Sequence, residues 1–232
     1  MPIKQSDQFR TPPKLFKELN EVFNFFWDAC CDKDNCLLPS QAPLITDFGE
    51  YNYLTYKWRR HQLDLYKDMS IFMNPPYSKP SKDNPGINAF IEKAWKDSKH
   101  FRVVMLVKAD MSTDWFNYPL IQRCGQIITE YQSTYELSFC CREILKAMEA
   151  EKKRMSIESP RMSYSGIGIL HLRKRIKFYV SEEVFMNDYK LHPEFKGCVD
   201  HSKNYKRVQD GIVSKSSANF PSMVMIFDRR GK

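Results

Sequence analysis

The tetrapeptide Asn74-Pro75-Pro76-Tyr77 combines residue types that suit methyl transfer to a planar nitrogen. The Asn74 side-chain carbonyl and the Pro75 backbone carbonyl can accept both hydrogens of an amino group whose lone pair is delocalised into a ring. Those two bonds pull the nitrogen toward tetrahedral geometry and direct its lone pair at an electrophilic methyl group. The two prolines hold the acceptors in place, so positioning supplies much of the rate enhancement. Tyr77 offers a flat ring for base stacking, worth about 1 to 3 kcal/mol.

Taken alone, this tetrapeptide fits the amino group of adenine or cytosine and the amide of glutamine equally well. It follows a short apolar run at Ser70 to Met73, which predicts a strand that the prolines bring to an end. A tight turn without chemistry is the simpler interpretation of the same residues. A helix predicted shortly afterwards favours the chemical interpretation.

A base inside a DNA duplex must leave the stack before its amino group can be reached. An enzyme that does this needs contacts to the phosphate backbone as well as a pocket for the base. The sequence places polar and cationic side chains directly after the tetrapeptide, and an aromatic, basic cluster before it. A solvated basic face is the alternative for that cluster. The candidates for DNA binding are Ser78, Lys79, Lys82, Lys57, Arg59 and Arg60.

Lysine and arginine outnumber aspartate and glutamate by 36 to 28, which gives a formal net charge of +8. This excess favours a polyanion as partner, although a basic surface also keeps a small protein soluble. No apolar run of about 18 residues is present, so we expect no membrane span. Charge alone does not decide between these alternatives, and the tetrapeptide is what favours nucleic acid.

The seven cysteines are an odd number and accompany no apolar N-terminal segment of the kind that directs secretion. This pattern favours a reducing cytoplasm. The adjacent pairs, Cys30 with Cys31 and Cys140 with Cys141, lack the spacing of zinc ligands. We therefore predict a cytoplasmic protein without a metal site, in which Cys30 and Cys31 pack the end of a strand.

Apolar periodicity predicts an alternation of strands, loops and helices, which is typical of an α/β layer fold. Helices are expected at residues 13–25 and 87–98, and a charged helix at 136–153. The first predicted strand carries Asp28, and the run at 101–107 is apolar except at Arg102, as in a strand buried on both faces. The predicted strands span residues 25–31, 43–48, 70–73, 101–107, 167–172, 175–180 and 223–227.

A chain of 232 residues can bury a sufficient core without disulfides or metal. We predict a single domain over residues 1–232. Three segments are predicted to lie outside its core as insertions that bind DNA. They are residues 51–68, 134–165 and 181–217.

Six segments, taken in order, resemble the phage-type, or Dam-like, DNA N6-adenine methyltransferases. Only the segment that contains Asn-Pro-Pro-Tyr is specific for this family by itself. The other segments become specific through their order and spacing. The segments are residues 7–12, 27–30, 72–78, 104–107 with Asp110 and 115–116, 175–178 and 220–222.

The resemblance implies a Rossmann-like sheet with helices on both faces, S-adenosylmethionine bound at strand ends, and adenine in double-stranded DNA as the substrate. It also implies a phage-encoded protein that protects DNA from restriction. The usual glycine-rich turn after the first strand is missing, and the phage-type group tolerates that departure. The implied contacts with the amino-acid end of the cofactor are Thr11 and Pro12, and those near its amine or ribose are Asp28, Ala29 and Cys30. Asp47 and Phe48 are implied to contact the adenine ring of the cofactor.

Three alternatives stay open on the sequence. A glutamine-amide methyltransferase acting on protein would keep the cofactor and the tetrapeptide, but such enzymes usually carry the missing glycine-rich turn. RNA could replace DNA as the substrate. A non-catalytic DNA-binding relative would keep the fold without the activity. The oligomeric state and the recognition sequence are not determined by these patterns.

Overall fold

The structure, a computed structural model, describes residues 10–31, 36–38, 53–77, 85–110, 116, 127–131, 136–158, 166–172, 175–176, 178–180, 205–208, 211–214 and 221–231. Its helices are α1 (Pro13–Phe23), α2 (Arg60–Leu65), α3 (Ile87–Asp97), α4 (Leu137–Glu158) and a 3₁₀ helix (Tyr53–Thr55). Its strands are β1 (Phe25–Asp28), β2 (Ser70–Met73), β3 (Arg102–Lys108), β4 (Ile127–Tyr131), β5 (Ile167–His171), β6 (Tyr179–Val180), β7 (Tyr205–Val208), β8 (Gly211–Ser214) and β9 (Ser222–Phe227).

The larger sheet has six strands in the order β1-β2-β3-β9-β5-β4. Pairing is parallel between β1 and β2, β2 and β3, and β4 and β5, whereas β9 runs antiparallel to both of its neighbours. Five strands therefore share one direction and β9 opposes them. We call the end of the sheet at which β1, β2 and β3 finish the carboxyl edge, and the opposite end the amino edge. This mixed α/β arrangement confirms the α/β part of the predicted fold class and is compatible with a Rossmann-like fold.

Both faces of the sheet are buried at β3, because successive apolar side chains of this strand point to opposite faces. In β3, Val103 and Met105 belong to the core cluster that contains α3, whereas Val104 and Leu106 belong to the cluster that contains α1 and α4. All four side chains are fully buried. The apolar run at 101–107 thus forms the strand that its composition predicted. A separate antiparallel sheet has the order β6-β8-β7.

The connection from α1 to β1 is a single residue. Asn24 adopts the left-handed conformation, with φ of 52°, and its N–H donates to the carbonyl of Asn20. The Asn20 side-chain oxygen accepts from the N–H of Phe25 at 2.7 Å. The helix predicted to reach Phe25 therefore ends at Phe23, and Phe25 begins the strand.

Two predicted insertions contribute to the core, so the prediction that they lie outside it is wrong at these residues. In segment 51–68, Tyr53 is fully buried and the Trp58 ring packs on Phe101. In segment 134–165, Leu137 and Ile144 are buried on α4, which extends to Glu158 rather than residue 153. Whether either segment binds DNA stays a prediction.

Other strand predictions differ in extent. The strand expected at 175–180 is reduced to β6, and the excursion at 181–217 contains β7 and β8. The strand expected at 43–48 lies outside the described residues. Within the described ranges, no helix combines the length and apolar character needed to cross a bilayer.

Candidate active site

The carboxyl edge brings the ends of β1 and β2 side by side. Asp28 is in register with Phe72, and the N–H of Ala29 donates to the Phe72 carbonyl at 2.9 Å. β2 ends at Met73, one residue before Asn74, since the following prolines have no N–H to continue a ladder. The parallel register therefore places Asp28 and Asn74 at neighbouring strand ends, where α/β sheets usually bind ligands.

Both ends of the Asn74 side-chain amide are held by hydroxyl groups. Its Nδ2 donates to Thr11 Oγ1 at 3.1 Å, and its Oδ1 accepts from the Tyr77 hydroxyl at 2.8 Å. Thr11 is buried just before α1, with only 5% of its surface exposed. The segments at residues 11 and 74–77, far apart in sequence, therefore meet at one side chain.

The Tyr77 hydroxyl has a second acceptor, the Leu106 carbonyl of β3 at 3.1 Å. Leu106 lies one residue beyond the last β2–β3 pair, Met73 with Met105. Burial raises the pKa of Tyr77 above its ordinary value, and the nearby Cys30 raises it further. Tyr77 therefore stays protonated at neutral pH and acts as a hydrogen-bond donor. Its role as a stacking platform stays a prediction.

Two further polar side chains, those of Asp28 and Cys30, lie at the end of β1. Asp28 is 5% exposed, and the Cys30 thiol lies near both Asp28 and the backbone of Asn74. Burial, and next the charge of Asp28, raise the pKa of Cys30 well above its usual value. Cys30 is thus a neutral thiol at neutral pH, and it packs partly buried against the core.

Sequence reasoning missed one neighbour of Asp28. The ligand atoms of Asp28, Cys31 and Cys36 all lie within 4.8 Å of one another, and the Cys31 thiol donates to the Asp28 backbone carbonyl at 3.0 Å. A hydrogen bond with Cys36, followed by burial, raises the pKa of Cys31. The signal available in the sequence was that only four residues separate Cys31 from Cys36, a spacing found between metal ligands. Structural zinc sites usually have four such ligands, and this cluster offers three among the described residues.

The basic cluster surrounds Trp58, whose ring lies 5.6 Å from the ring of Trp27 in β1. The Trp58 ring is 4.4 Å from the ring of Phe101, the residue that precedes β3 at the amino edge. Lys57, Arg59 and Arg60 flank Trp58 and are exposed. Their role in DNA binding stays a prediction. Five other predicted site residues, namely Asp47, Phe48, Ser78, Lys79 and Lys82, lie outside the described residues.

The amino edge carries a network of charges instead. Asp228 accepts from Arg102 at 2.9 Å and from Arg230 at 2.8 Å. We call these three residues the amino-edge ion network. Together with Lys67 and Glu149 they line a cavity of about 340 Å³, which lies at the opposite end of the sheet from Asn74. Its charged walls are largely paired with one another, so we assign it no part in the chemistry.

The fold and the carboxyl edge together define a class of protein, an α/β protein with a mostly parallel sheet and a strand-ending Asn-Pro-Pro-Tyr. The family described as DNA N-6-adenine-methyltransferase (Dam) matches residues 1–162, and the chain belongs to that family. The match covers more than half of the chain and confirms the resemblance that the sequence segments indicated. Membership implies DNA adenine as the substrate and S-adenosylmethionine as the methyl donor. Comparison with curated proteins and with solved structures gave no match.

Proposed function

We propose that the chain transfers a methyl group from S-adenosylmethionine to the N6 nitrogen of an adenine flipped out of double-stranded DNA. The observation that carries this proposal is the position of Asn74. It lies at the carboxyl end of β2, beside the end of β1, with its amide held by Thr11 and Tyr77. Family membership supplies the substrate class.

Asn74 and Pro75 would act on the amino group by accepting its two hydrogens, through Asn74 Oδ1 and the Pro75 carbonyl. These bonds localise the nitrogen lone pair without removing a proton beforehand, so the mechanism needs no strong base. Tyr77 agrees with this assignment, because its hydroxyl donates to Asn74 Oδ1 and so acts as a donor, not as a base. The proton released after methyl transfer passes to water.

The residues near the end of β1 fit a cofactor that carries an amine and ribose hydroxyls. Asp28 is a buried carboxylate at the carboxyl edge of a parallel sheet, and such a group can accept from either. Bound S-adenosylmethionine supplies the methyl group on a sulfonium centre. The turn at Ala29 and Cys30 follows Asp28 directly. We assign cofactor contacts to four residues, Pro12, Asp28, Ala29 and Cys30. Asp47 and Phe48 keep their predicted contacts with the adenine ring of the cofactor.

The formal charge of +8 supports a duplex as the partner. A phage-encoded enzyme in the host cytoplasm that protects DNA from restriction follows from the resemblance to the phage-type group. Arg59 and Arg60 remain the first candidates for DNA contacts outside the base pocket. Sequencing of DNA from cells that express the protein tests the modified base and the recognition site together.

The direct test is transfer of labelled methyl from S-adenosylmethionine to duplex DNA by wild type and Asn74→Ala. Loss of the acceptor should lower the rate about 100-fold or more, as loss of a single transition-state hydrogen bond can. Cofactor affinity, measured by calorimetry, should stay within about threefold, since Asn74 contacts the substrate. An unchanged rate in Asn74→Ala would overturn the assigned role.

The alternatives are outcomes of the same experiment. A wild-type protein that binds no S-adenosylmethionine at millimolar concentration would be a non-catalytic relative. Transfer to a glutamine-containing peptide or to RNA, but not to a DNA duplex, would replace the substrate and keep the chemistry.

A further inference from the structure

We propose that Thr11 is a positioning residue, whose hydroxyl sets the orientation of the Asn74 side-chain amide toward the target amine. This inference rests on the proposed function, in which Asn74 Oδ1 accepts from adenine N6. It assigns Thr11 a role that differs from the cofactor contact expected from the sequence.

An asparagine amide can serve as an acceptor only in one of its two orientations. Rotation by 180° about its last side-chain bond exchanges Oδ1 for Nδ2, and an Nδ2 facing an amino group would set donor against donor. The Nδ2 of Asn74 donates to Thr11 Oγ1 at 3.1 Å. Together with the bond from the Tyr77 hydroxyl to Oδ1, it pairs both ends of the amide in the orientation that places Oδ1 on the side of Tyr77.

Thr11 is well placed to hold that orientation. It is 5% exposed, and the chain after it is fixed by Pro12 and Pro13 at the start of α1. The Pro12 carbonyl accepts from the N–H of Phe16 at 3.0 Å, which ties the segment to the first turn. A rigid, buried hydroxyl loses little freedom when it bonds to the amide, in contrast to a mobile surface group.

The other end of the amide is held by a bond that can be exchanged. The Tyr77 hydroxyl has one proton and two acceptors within reach, Asn74 Oδ1 at 2.8 Å and the Leu106 carbonyl at 3.1 Å. When an amino group donates to Oδ1, the Tyr77 proton can turn to Leu106. Oδ1 therefore becomes available without leaving the buried phenol unpaired, while Thr11 keeps its hold on Nδ2.

The test compares Thr11→Val, which keeps the shape and removes the hydroxyl, with Thr11→Ser, which restores it. With DNA and cofactor saturating, kcat should fall about 10- to 100-fold in Thr11→Val and stay within about threefold in Thr11→Ser. The Kd for S-adenosylmethionine, from calorimetry, should stay within about threefold in both variants. Thr11→Ala provides a second hydroxyl-free variant if valine disturbs folding, which the thermal midpoint reports.

A readout independent of activity is the side-chain NH₂ signal of Asn74 in a protein labelled with ¹⁵N-asparagine, assigned by its absence in Asn74→Ala. We expect that signal to move in Thr11→Val and to stay in place in Thr11→Ser. A wild-type kcat in Thr11→Val, or an unmoved signal, would overturn the inference. Lost cofactor affinity with kcat restored at saturation would instead make Thr11 a cofactor ligand. If wild type methylates no DNA, the proposed function fails, and the NMR result still decides whether Thr11 holds Asn74.

Discussion

The two edges of the same sheet use polar groups in opposite ways. At the carboxyl edge, the two groups bonded to the Asn74 side chain are neutral, namely the hydroxyls of Thr11 and Tyr77. At the amino edge, Asp228 lies between two arginines, and all three are charged. Asn74 thus has hydrogen bonds that can be exchanged, whereas the charges of Asp228 and its two arginines compensate one another.

This difference separates function from stability. A buried charge requires a fixed partner, because removing that partner leaves an expensive unpaired ion. A neutral hydroxyl with two acceptors, such as Tyr77, can change partner at little cost when a ligand arrives. We therefore expect substitutions at the amino edge to change the free energy of unfolding, and substitutions at the carboxyl edge to change the rate of methyl transfer.

The largest effect on stability is expected at Gly166, where the amino edge closes. Gly166 has φ of +66°, and a Cβ there would come within 2.6 Å of the Asp228 carbonyl oxygen. Gly166→Ala should lower the free energy of unfolding by about 2 to 4 kcal/mol, from backbone strain and a contact that cannot relax. Urea unfolding measures this.

Gly231→Ala is the matched control. Gly231 has a similar φ of +73°, but the nearest atom to a Cβ there is the flexible Lys152 Nζ at 3.1 Å. Gly231→Ala should lower the free energy of unfolding by about 1 kcal/mol, because of the positive φ alone. Equal losses in the two variants would show that the contact with Asp228 contributes nothing. Methyl transfer per folded molecule should be unchanged in both.

A smaller loss is expected for Asp228→Asn, which leaves two arginines without their carboxylate. Burial alone would raise the pKa of Asp228, but its hydrogen bond from Arg230 and the charge of Arg102 lower it below the usual value. We expect a loss of about 2 kcal/mol at neutral pH, less than for a fully buried pair because these side chains are partly exposed.

The pH dependence follows from the direction of that shift. A carboxyl whose pKa is lowered by folding contributes its stability above the unfolded pKa, about 3.9, and loses it as the pH falls through the folded value. The difference in unfolding free energy between wild type and Asp228→Asn should be constant from about pH 5 to 8 and shrink below about pH 4. A gap that persists at acid pH would exclude the charge as its cause.

Local patterns in the sequence predicted the elements but not their neighbours. The apolar run at 101–107 is β3, and the run before Asn74 is β2, because burial on both faces requires just such residues. The position of β9 between β3 and β5 had no local signal, since pairing between distant segments depends on the whole chain. The helix α1 ends two residues before its predicted end, because Asn24 adopts a left-handed conformation that periodicity does not reveal.

The same limit applies to the site. Asn74 and its prolines were predictable because their chemistry lies in four consecutive residues. Its contact with Thr11 joins residues 63 apart in sequence and was not predictable from spacing. Trp58 shows the converse: its basic neighbours indicated a surface segment, whereas its own ring packs against Phe101 and anchors that segment to the core.

The smallest effect is expected for Arg59→Ala combined with Arg60→Ala, two exposed cations that follow Trp58. If both contact phosphates, the slope of log K against log salt should flatten by about 1.8, while methyl transfer at saturating DNA stays unchanged. Lys14→Ala combined with Lys17→Ala removes the same charge from the exposed side of α1 and is the control. Equal changes in both pairs would indicate net charge alone, and no change in the arginine pair would show that these two cations contact no phosphate.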